Sequence, residues 1–406
     1  MSQSSTARRL LPAAILLAFG SLAGSAQAVD WGGYFRAGPA TADKDASRAC
    51  YGLSGPGLKY RLGNECDIYG EFALSQGLKS EGVDYKATLM TNLYNPQTDT
   101  GAATVGINQM FVEGKGYDVA PNTAFWIGKR FYGRADVHIV DTFFTNLSGV
   151  GGGADIPLSF GKLGLAYFKK DVDAAQSGNR FNVDLSDINV NKDGKLRVLL
   201  TATQGNFSAS TVTGNTYAAG TSGMGLTIQH NQDKFLGLGG GNTLWLQTAQ
   251  GSAGLDGNFG GLSNDSNIKS TRLVESMTWQ VGAFGGQALA MVQNDDAAGV
   301  KTASTSYGGR VSYAFTRNFK LLGEVGLSQK KVDGSDAQQL TKITVAPTLA
   351  VGPGFWNRPE LRLYVTHATW NDAANAAAGA NGLTGVPALS TKTSATSMGL
   401  QAEMWF

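Results

Sequence analysis

Along most of the chain, apolar and polar side chains alternate with a period of two. From Val29 to Gly38 (VDWGGYFRAG), Val29, Trp31, Gly33 and Phe35 fall on one face and Asp30, Gly32, Tyr34 and Arg36 on the other, the pattern of a strand with one apolar and one polar side. From Glu65 to Ala73, Ile68 and Phe72 oppose Glu65, Asp67, Tyr69 and Glu71, with Lys59 and Arg61 continuing the polar side upstream. From Gly354 to Trp370, Leu361, Leu363 and Val365 oppose Trp356, Arg358, Glu360, Arg362 and Tyr364. Similar runs recur at Val83 to Tyr94, Asn122 to Phe131, Lys195 to Thr203, Asn242 to Gln250, Thr271 to Gln280, Ser304 to Phe315 and Lys342 to Val351. Clusters of Gly, Asn, Asp and Ser separate them, and about seventeen strands can be delimited.

The N-terminus breaks the pattern. Arg8-Arg9, the apolar run Leu10 to Gly24 and the small residues Ser25-Ala26-Gln27-Ala28 read as a secretory signal peptide over residues 1–28, removed after Ala28. The apolar run is too short for a spanning anchor, and no stretch after Val29 is long enough for a membrane helix. An exported chain of alternating strands is therefore read as a single all-β domain over residues 29–406, a transmembrane antiparallel β-barrel of the outer membrane. Its apolar face meets lipid and its polar face meets the lumen. A soluble sandwich would not need an apolar face turned away from its core on nearly every strand. The last segment, Ser397 to Phe406 (SMGLQAEMWF), stops on Phe406, placed as a closing strand ends in an interfacial aromatic girdle. Single-chain barrels of this kind have an even number of strands, so 16 and 18 both fit.

Composition agrees with this class and removes others. Charged residues are 16% of the chain, below the roughly one quarter of ordinary soluble domains. The mature chain loses two arginines with the leader, leaving 33 − 2 = 31 basic against 31 acidic residues; this balance excludes a basic nucleic-acid binder. The three histidines, His138, His230 and His367, sit in no His-Glu-x-x-His or Gly-x-Ser-x-Gly arrangement. The Gly-rich stretches Gly149 to Gly153 and Gly237 to Gly241 lack the Lys-Ser or Lys-Thr of a phosphate loop and read as loops. No enzyme is expected, and no cofactor or metal. Asp43-x-Asp45 and Asp171-x-Asp173 offer too few oxygens for a calcium cage. Cys50 and Cys66 are the only cysteines, and export makes a disulfide the default. With no His nearby, a metal site is the poorer reading. The bridge is expected in the first extracellular loop.

Val29-Asp30-Trp31-Gly32-Gly33-Tyr34, Lys59 to Cys66 (KYRLGNEC), Gly128 to Asp141 (GKRFYGRADVHIVD), Trp356-Asn357-Arg358-Pro359 and Trp405-Phe406 together resemble the maltoporin family of outer-membrane sugar channels. The likeness is strong over the first 140 residues and at the C-terminus and weak between Lys170 and Leu349. It implies 18 strands, a homotrimer in outer-membrane lipid, and a third external loop folded inward to narrow the pore. The strand count independently places the long segment Tyr132 to Ile156 third among the external connections. That segment carries Arg134, Asp136, His138, Asp141 and Phe143, and its charges suit a water-filled constriction better than a lipid face.

A pyranose has an apolar face and a rim of hydroxyls, so a sugar channel needs flat aromatic platforms flanked by hydrogen-bonding groups. On the polar faces, Tyr34, Tyr69, Trp356 and Trp405 are the candidate platforms. Arg36, Arg61, Glu71, Arg134, Asp136 and Asp141 are the candidate polar track, and His138 and Phe143 belong to the constriction. The resemblance puts its aromatic slide and polar track at these positions; from alternation alone, each aromatic could equally be a girdle residue. The expected function is facilitated diffusion of sugars, maltose and maltodextrins or related oligosaccharides. The alternative is a general diffusion porin with no specific sugar site.

The chain also departs from the family pattern. No Trp occurs between Asn95 and Asn108, Asn108 stands where an arginine of the track is usual, Leu226 where a mid-slide aromatic is usual, and Phe143 and Asn146 replace a Tyr and an Asp. Fewer stacking and charged contacts point to weaker binding of long maltodextrins, and to a shorter or different sugar.

Overall fold

The computed structural model describes residues 29–406 other than 44, 45, 47, 97–101, 171–175, 213 and 214, and only the backbone of 210–212 and 215–217. The expected leader, residues 1–28, lies outside the described residues, as do Asp45, Asp171 and Asp173. One sheet of nineteen hydrogen-bonded segments dominates the chain. Ala40–Ala42 is a short piece that runs on past the first strand along the last, so 19 − 1 = 18 staves remain. They are β1 Asp30–Ala37, β2 Ile68–Ser80, β3 Val83–Asn95, β4 Thr104–Lys115, β5 Ala124–Arg130, β6 Gly149–Leu158, β7 Gly161–Lys170, β8 Gly178–Asn191 and β9 Gly194–Gly205. The second half holds β10 Ser222–Asp233, β11 Gly241–Gly251, β12 Lys269–Val281, β13 Phe284–Ala297, β14 Val300–Ala314, β15 Phe319–Val332, β16 Gln338–Ala350, β17 Glu360–Trp370 and β18 Ser394–Trp405. Each stave pairs antiparallel with the next, and β18 pairs with β1 through Tyr34↔Trp405, Phe35↔Met404, Arg36↔Glu403 and Ala37↔Ala402. This pairing closes the barrel and selects eighteen strands over sixteen.

The alternation has the expected sense. On β17, Leu361, Leu363 and Val365 are about half exposed on the outer surface, while Glu360, Arg362 and Tyr364 are buried inside. Phe406 stacks on Trp31 at 5.5 Å between centroids, and Trp31 lies 6.0 Å from Phe72, an aromatic patch at the end of the barrel where both termini lie. Connections at that end are mostly tight. Glu81 and Gly82, between the paired residues Ser80 and Val83, both have positive φ, as the two-residue hairpin matched to strand twist requires. At the opposite end run the long connections, including 38–67, 131–148, 252–268 and 371–393; in outer-membrane barrels the long loops are extracellular and the short turns periplasmic.

Three expectations are corrected. The third long connection ends at Ser148, and the glycine-rich segment read as loop, Gly149 to Gly153, opens the strand β6. Its glycines hide the period-two pattern because the inner face there must stay flat. A Cβ on Gly153 would stand 2.8 Å from the Trp126 Nε1, one on Gly149 2.9 Å from the Phe168 ring, and one on Gly151 1.9 Å from the Tyr167 carbonyl oxygen. Two strand starts also shift: Glu65 and Asp67 precede β2, and Gly354 to Pro359, with Trp356, belong to the turn before β17. Finally, the first connection, 38–67, with Cys50 and Cys66 joined, lies inside the barrel and not only above it. Tyr51, Leu53, Leu58 and Tyr60 are buried with Val137, Ile139 and Phe144 of the third connection against Trp245, Val274, Leu289 and Met291 of the wall. Apolar side chains in an external loop have nowhere else to be buried.

Buried charges tie this interior to the wall. Glu324 pairs with Arg310 at 2.7 Å and with Lys342 at 3.0 Å. It also accepts the Leu62 amide at 2.9 Å, while the Lys342 ammonium donates to the Leu62 carbonyl at 2.7 Å. Glu360 pairs with Lys320, Arg358 and Arg362. Because each charge in these two clusters has an opposite partner, the desolvation cost of placing it there is offset.

Gly151→Ala is expected to lower the thermal unfolding temperature in detergent, since its new methyl must displace the β7 backbone; overpacking of this kind costs about 1–3 kcal/mol. An unchanged midpoint would show that β6 is not held as tightly as described.

Candidate functional site

The inner faces of β18, β1 and β2 bring the four candidate platforms into one series. Trp356, from the turn before β17, lies 6.4 Å from Trp405 between ring centroids. Trp405 is the direct register partner of Tyr34, and Tyr34 lies 6.3 Å from Tyr69. Because Trp356 and Trp405 sit at the short-turn end and Tyr69 near the long-loop end of β2, the series climbs along the lumen. His138 touches both tryptophans edge-on, at 5.5 and 5.7 Å.

The polar candidates gather beside this series. The Arg36 guanidinium donates to both carboxylate oxygens of Asp67 at 2.9 Å and reaches Asp141 at 3.2 Å and Glu65 at 2.8 Å. Arg61 holds Glu65 at 2.6 Å, donates to the Tyr34 hydroxyl, and lies 3.5 Å from Asp141 and 3.4 Å from Glu403. Tyr34 in turn donates to Glu403 at 3.1 Å. Arg36 and Arg61 are almost fully buried, and their positive charge is met by Glu65, Asp67, Asp141 and Glu403. Glu71 accepts from the Tyr69 hydroxyl and, at 2.8 Å, from Asn108. Asn108 occupies a bulge in β4, between the pairs Met90↔Gln109 and Thr91↔Ile107, and its amide also donates to the Tyr69 hydroxyl at 3.1 Å.

The third connection supplies the rest. The Arg134 guanidinium is sandwiched between Phe131 and Phe143, at 3.9 and 3.7 Å from the ring centroids, a desolvated cation–π arrangement that fixes its plane. Burial pushes the Asp136 carboxyl up, against the pull of Arg134 and Arg61. For Asp141, burial acts the same way but Arg61 and Arg36 outweigh it and hold the carboxyl below its ordinary range. The His138 imidazole is pushed down to about 4, mainly by burial, with Arg61 adding to the effect and Glu403 opposing it; it is neutral at neutral pH.

Beside Asp136 and His138 of the third connection, toward the short-turn end, lies a cavity of about 580 Å³. Trp356, Trp405, His138 and Asp136 line one side, and Asn231, Thr243, Ser276, Thr278 and Gln287 the other. The second group comes from β10 to β13, where the sequence offered no motif. Only the inward phase of ordinary strands marks them, and amides and hydroxyls are too common on such faces to stand out. Leu226, in contrast, does not face the lumen. It pairs with Leu200, which is half exposed on the outer surface, while its neighbour Thr227 is buried inside. The expectation that Leu226 replaces a slide aromatic is therefore corrected by the phase of β10. Asn146 lies deeper, its amide donating to the Asp256 carbonyl at 2.8 Å. Asp43 is engaged by Lys392 at 2.9 Å.

A family model described as LamB porin matches residues 29–406. Among solved structures, in-vitro folded OmpT, a Vibrio cholerae outer membrane protein in trimer form, has a TM-score of 0.44 and 9% identity, covering 93% of this chain and 99% of that one. A triple mutant of the Rhodopseudomonas blastica porin has a TM-score of 0.44 and 13% identity, covering 93% and 100%.

Folding should depend on pH through His138. In the unfolded chain its imidazole titrates near 6.5 and in the folded protein near 4, so below about pH 6.5 the unfolded state binds more protons and stability falls as pH drops toward 4. Unfolding midpoints of the wild type and His138→Asn, compared from pH 7 to 4, should converge or cross as the wild type loses this contribution. Parallel curves would show that the imidazole is not held neutral.

Proposed function

The chain belongs to the LamB porin family, an outer-membrane β-barrel channel, and from that premise we propose that it carries sugars by facilitated diffusion along the Trp356, Trp405, Tyr34 and Tyr69 series. The single observation that supports this most is the spacing of those rings. Separations of 6.4 and 6.3 Å at the two ends of the series let consecutive pyranose rings of an oligosaccharide lie over neighbouring platforms without losing contact. Stacking on each ring is weak, and a channel needs each step to be weak enough to leave.

The polar groups fit the hydroxyl rim of the same ligand. Asp141 and Glu71 present carboxylate acceptors, and Asn108 and the Arg134 edge present donors. Asn231, Asp233, Thr243, Ser276 and Thr278 face the two tryptophans across the cavity, so a sugar there meets an apolar floor and a hydrogen-bonding wall. The proposed substrates are maltose, short maltodextrins or related oligosaccharides. Asn108 in place of a guanidinium and Phe143 in place of a phenol leave fewer strong contacts, which favours short chains. We further propose a homotrimer, on the family resemblance, and a cleaved leader, which the start of the family match at residue 29 supports.

The test is conductance of the purified protein in planar bilayers while maltose, maltotriose, maltohexaose and sucrose are titrated. Saturable closure is expected, strongest for the short maltodextrins. Trp356→Ala should weaken half-saturation roughly two- to ten-fold, the equivalent of about 0.5–1.5 kcal/mol for one aromatic contact. Conductance that follows salt and ignores every sugar would leave a general diffusion porin in place of the proposed slide.

A further inference from the structure

Behind the third connection, three buried arginines of the wall donate to its backbone. The Arg197 guanidinium, on β9, donates to the Gly133 carbonyl at 3.0 Å. Arg272, on β12, donates to the Phe144 carbonyl at 3.4 Å, and Gln247 of β11 donates to the same oxygen at 2.7 Å. Arg180, on β8, donates to the Leu147 and Ser148 carbonyls at 2.7 and 3.1 Å. The spacing of these anchors is the informative point. Gly133 immediately precedes Arg134, and Phe144 immediately follows Phe143, so the residues that narrow the lumen are suspended between two fixed carbonyls.

A buried guanidinium costs far more than an apolar side chain of the same size unless it is matched by a carboxylate. On β14 to β18 the buried cations are so matched, as Arg310 is by Glu324. Among the described residues, neither Arg180 nor Arg272 has a carboxylate within ion-pair distance. Their side chains lie over aromatic rings, Arg180 over Phe168 at 4.2 Å and Arg272 over Phe144 at 4.9 Å, and Arg272 also donates to Gln247 at 2.9 Å. Filling space would need only a methionine. What the guanidinium adds is a donor for a carbonyl: the connection's own antiparallel pairing of Ala135–Val137 with Thr142–Thr145 skips Phe144, and a buried carbonyl left out of such pairing needs a donor.

We propose that Arg197, Arg272 and Gln247, with Arg180 at the exit, are positioning residues that set the width of the pore by pinning the third connection to the wall at both ends of its lumen-facing stretch. They act through the connection and do not touch the permeating solute. The inference rests on the channel reading alone and not on the identity of the sugar.

The experiment is single-channel conductance in planar bilayers at fixed salt with no sugar present. Arg272→Met is the first variant, because losing Arg197 would also strand Asp184, its ion-pair partner at 2.7 Å. With the 3.4 Å donor lost and Gln247 no longer oriented by the guanidinium at 2.9 Å, the Phe144 anchor is loosened and the connection should move away from its narrow position. Conductance and open-channel noise should rise, and larger neutral polymers should enter, with Arg272→Lys restoring both toward wild type because one donor is kept. A folded Arg272→Met channel with wild-type conductance and noise would overturn the proposal. Should Arg272→Met not fold, Gln247→Glu removes the closer donor to the same carbonyl while keeping an oxygen for Arg272 to donate to, and wild-type behaviour there would overturn it equally. A sugar-insensitive channel that still widens in these variants would refute the sugar reading and leave this one standing.

Discussion

A backbone in hydrocarbon has no water to satisfy its amides, so every one of them must find a partner within the sheet. The pairing of β18 with β1 meets that requirement by leaving no edge. Most of the other features follow from it. A closed sheet with an apolar exterior can place polar side chains only inward, and with eighteen staves the interior is too wide for the side chains of the wall to fill it. The chain fills part of that space with its own connections.

Filling a polar lumen with loops creates a second problem, because those loops carry both apolar side chains and unpaired backbone groups. The structure solves it asymmetrically. The first connection is bound to β15 and β16 by the Glu324 and Lys342 pair, which takes up the Leu62 amide and carbonyl together. The third is packed through Val137, Ile139 and Phe144 into an apolar cluster and bound through carbonyls by side chains of β8 to β12. The remaining opening lies between this packed mass and the aromatic series of β18, β1 and β2. Carboxylates and guanidiniums at its edge are largely paired with each other, and Arg36, Arg61 and Arg358 also lie over the rings of Tyr69, Tyr34 and Trp405, at 5.3, 5.9 and 4.5 Å from their centroids.

How much of this was legible in the sequence depends on whether a residue's role follows from phase or from contact. Phase gave the barrel, the inward turn of Tyr34, Tyr69 and Trp405, and the outer position of Leu361 and Leu363. It failed where glycine erased it, at Gly149 to Gly153, since a residue without a side chain carries no polarity signal although it still occupies a strand. Resemblance placed the third connection well, and misplaced Leu226 in the weakly matched centre, where one residue of slip turns a side chain to the opposite face. The inward fold of the first connection and the anchoring by Arg180, Arg197 and Arg272 depend on contacts between residues far apart in the chain. No local pattern announces those, because a buried arginine on a lumen face reads the same whether it meets water, a carboxylate or a carbonyl.

The register pair Tyr34↔Trp405 joins the two ends of the chain, and it also joins two consecutive rings of the aromatic series. The proposed path along the lumen therefore crosses the seam of the barrel. An open or misregistered sheet would still have Tyr34 beside Tyr69 and Trp405 near Trp356, but as two disconnected halves. Continuity of the path is thus a property of completed topology and not of any one strand, so a barrel that has not zipped shut offers a solute no uninterrupted route.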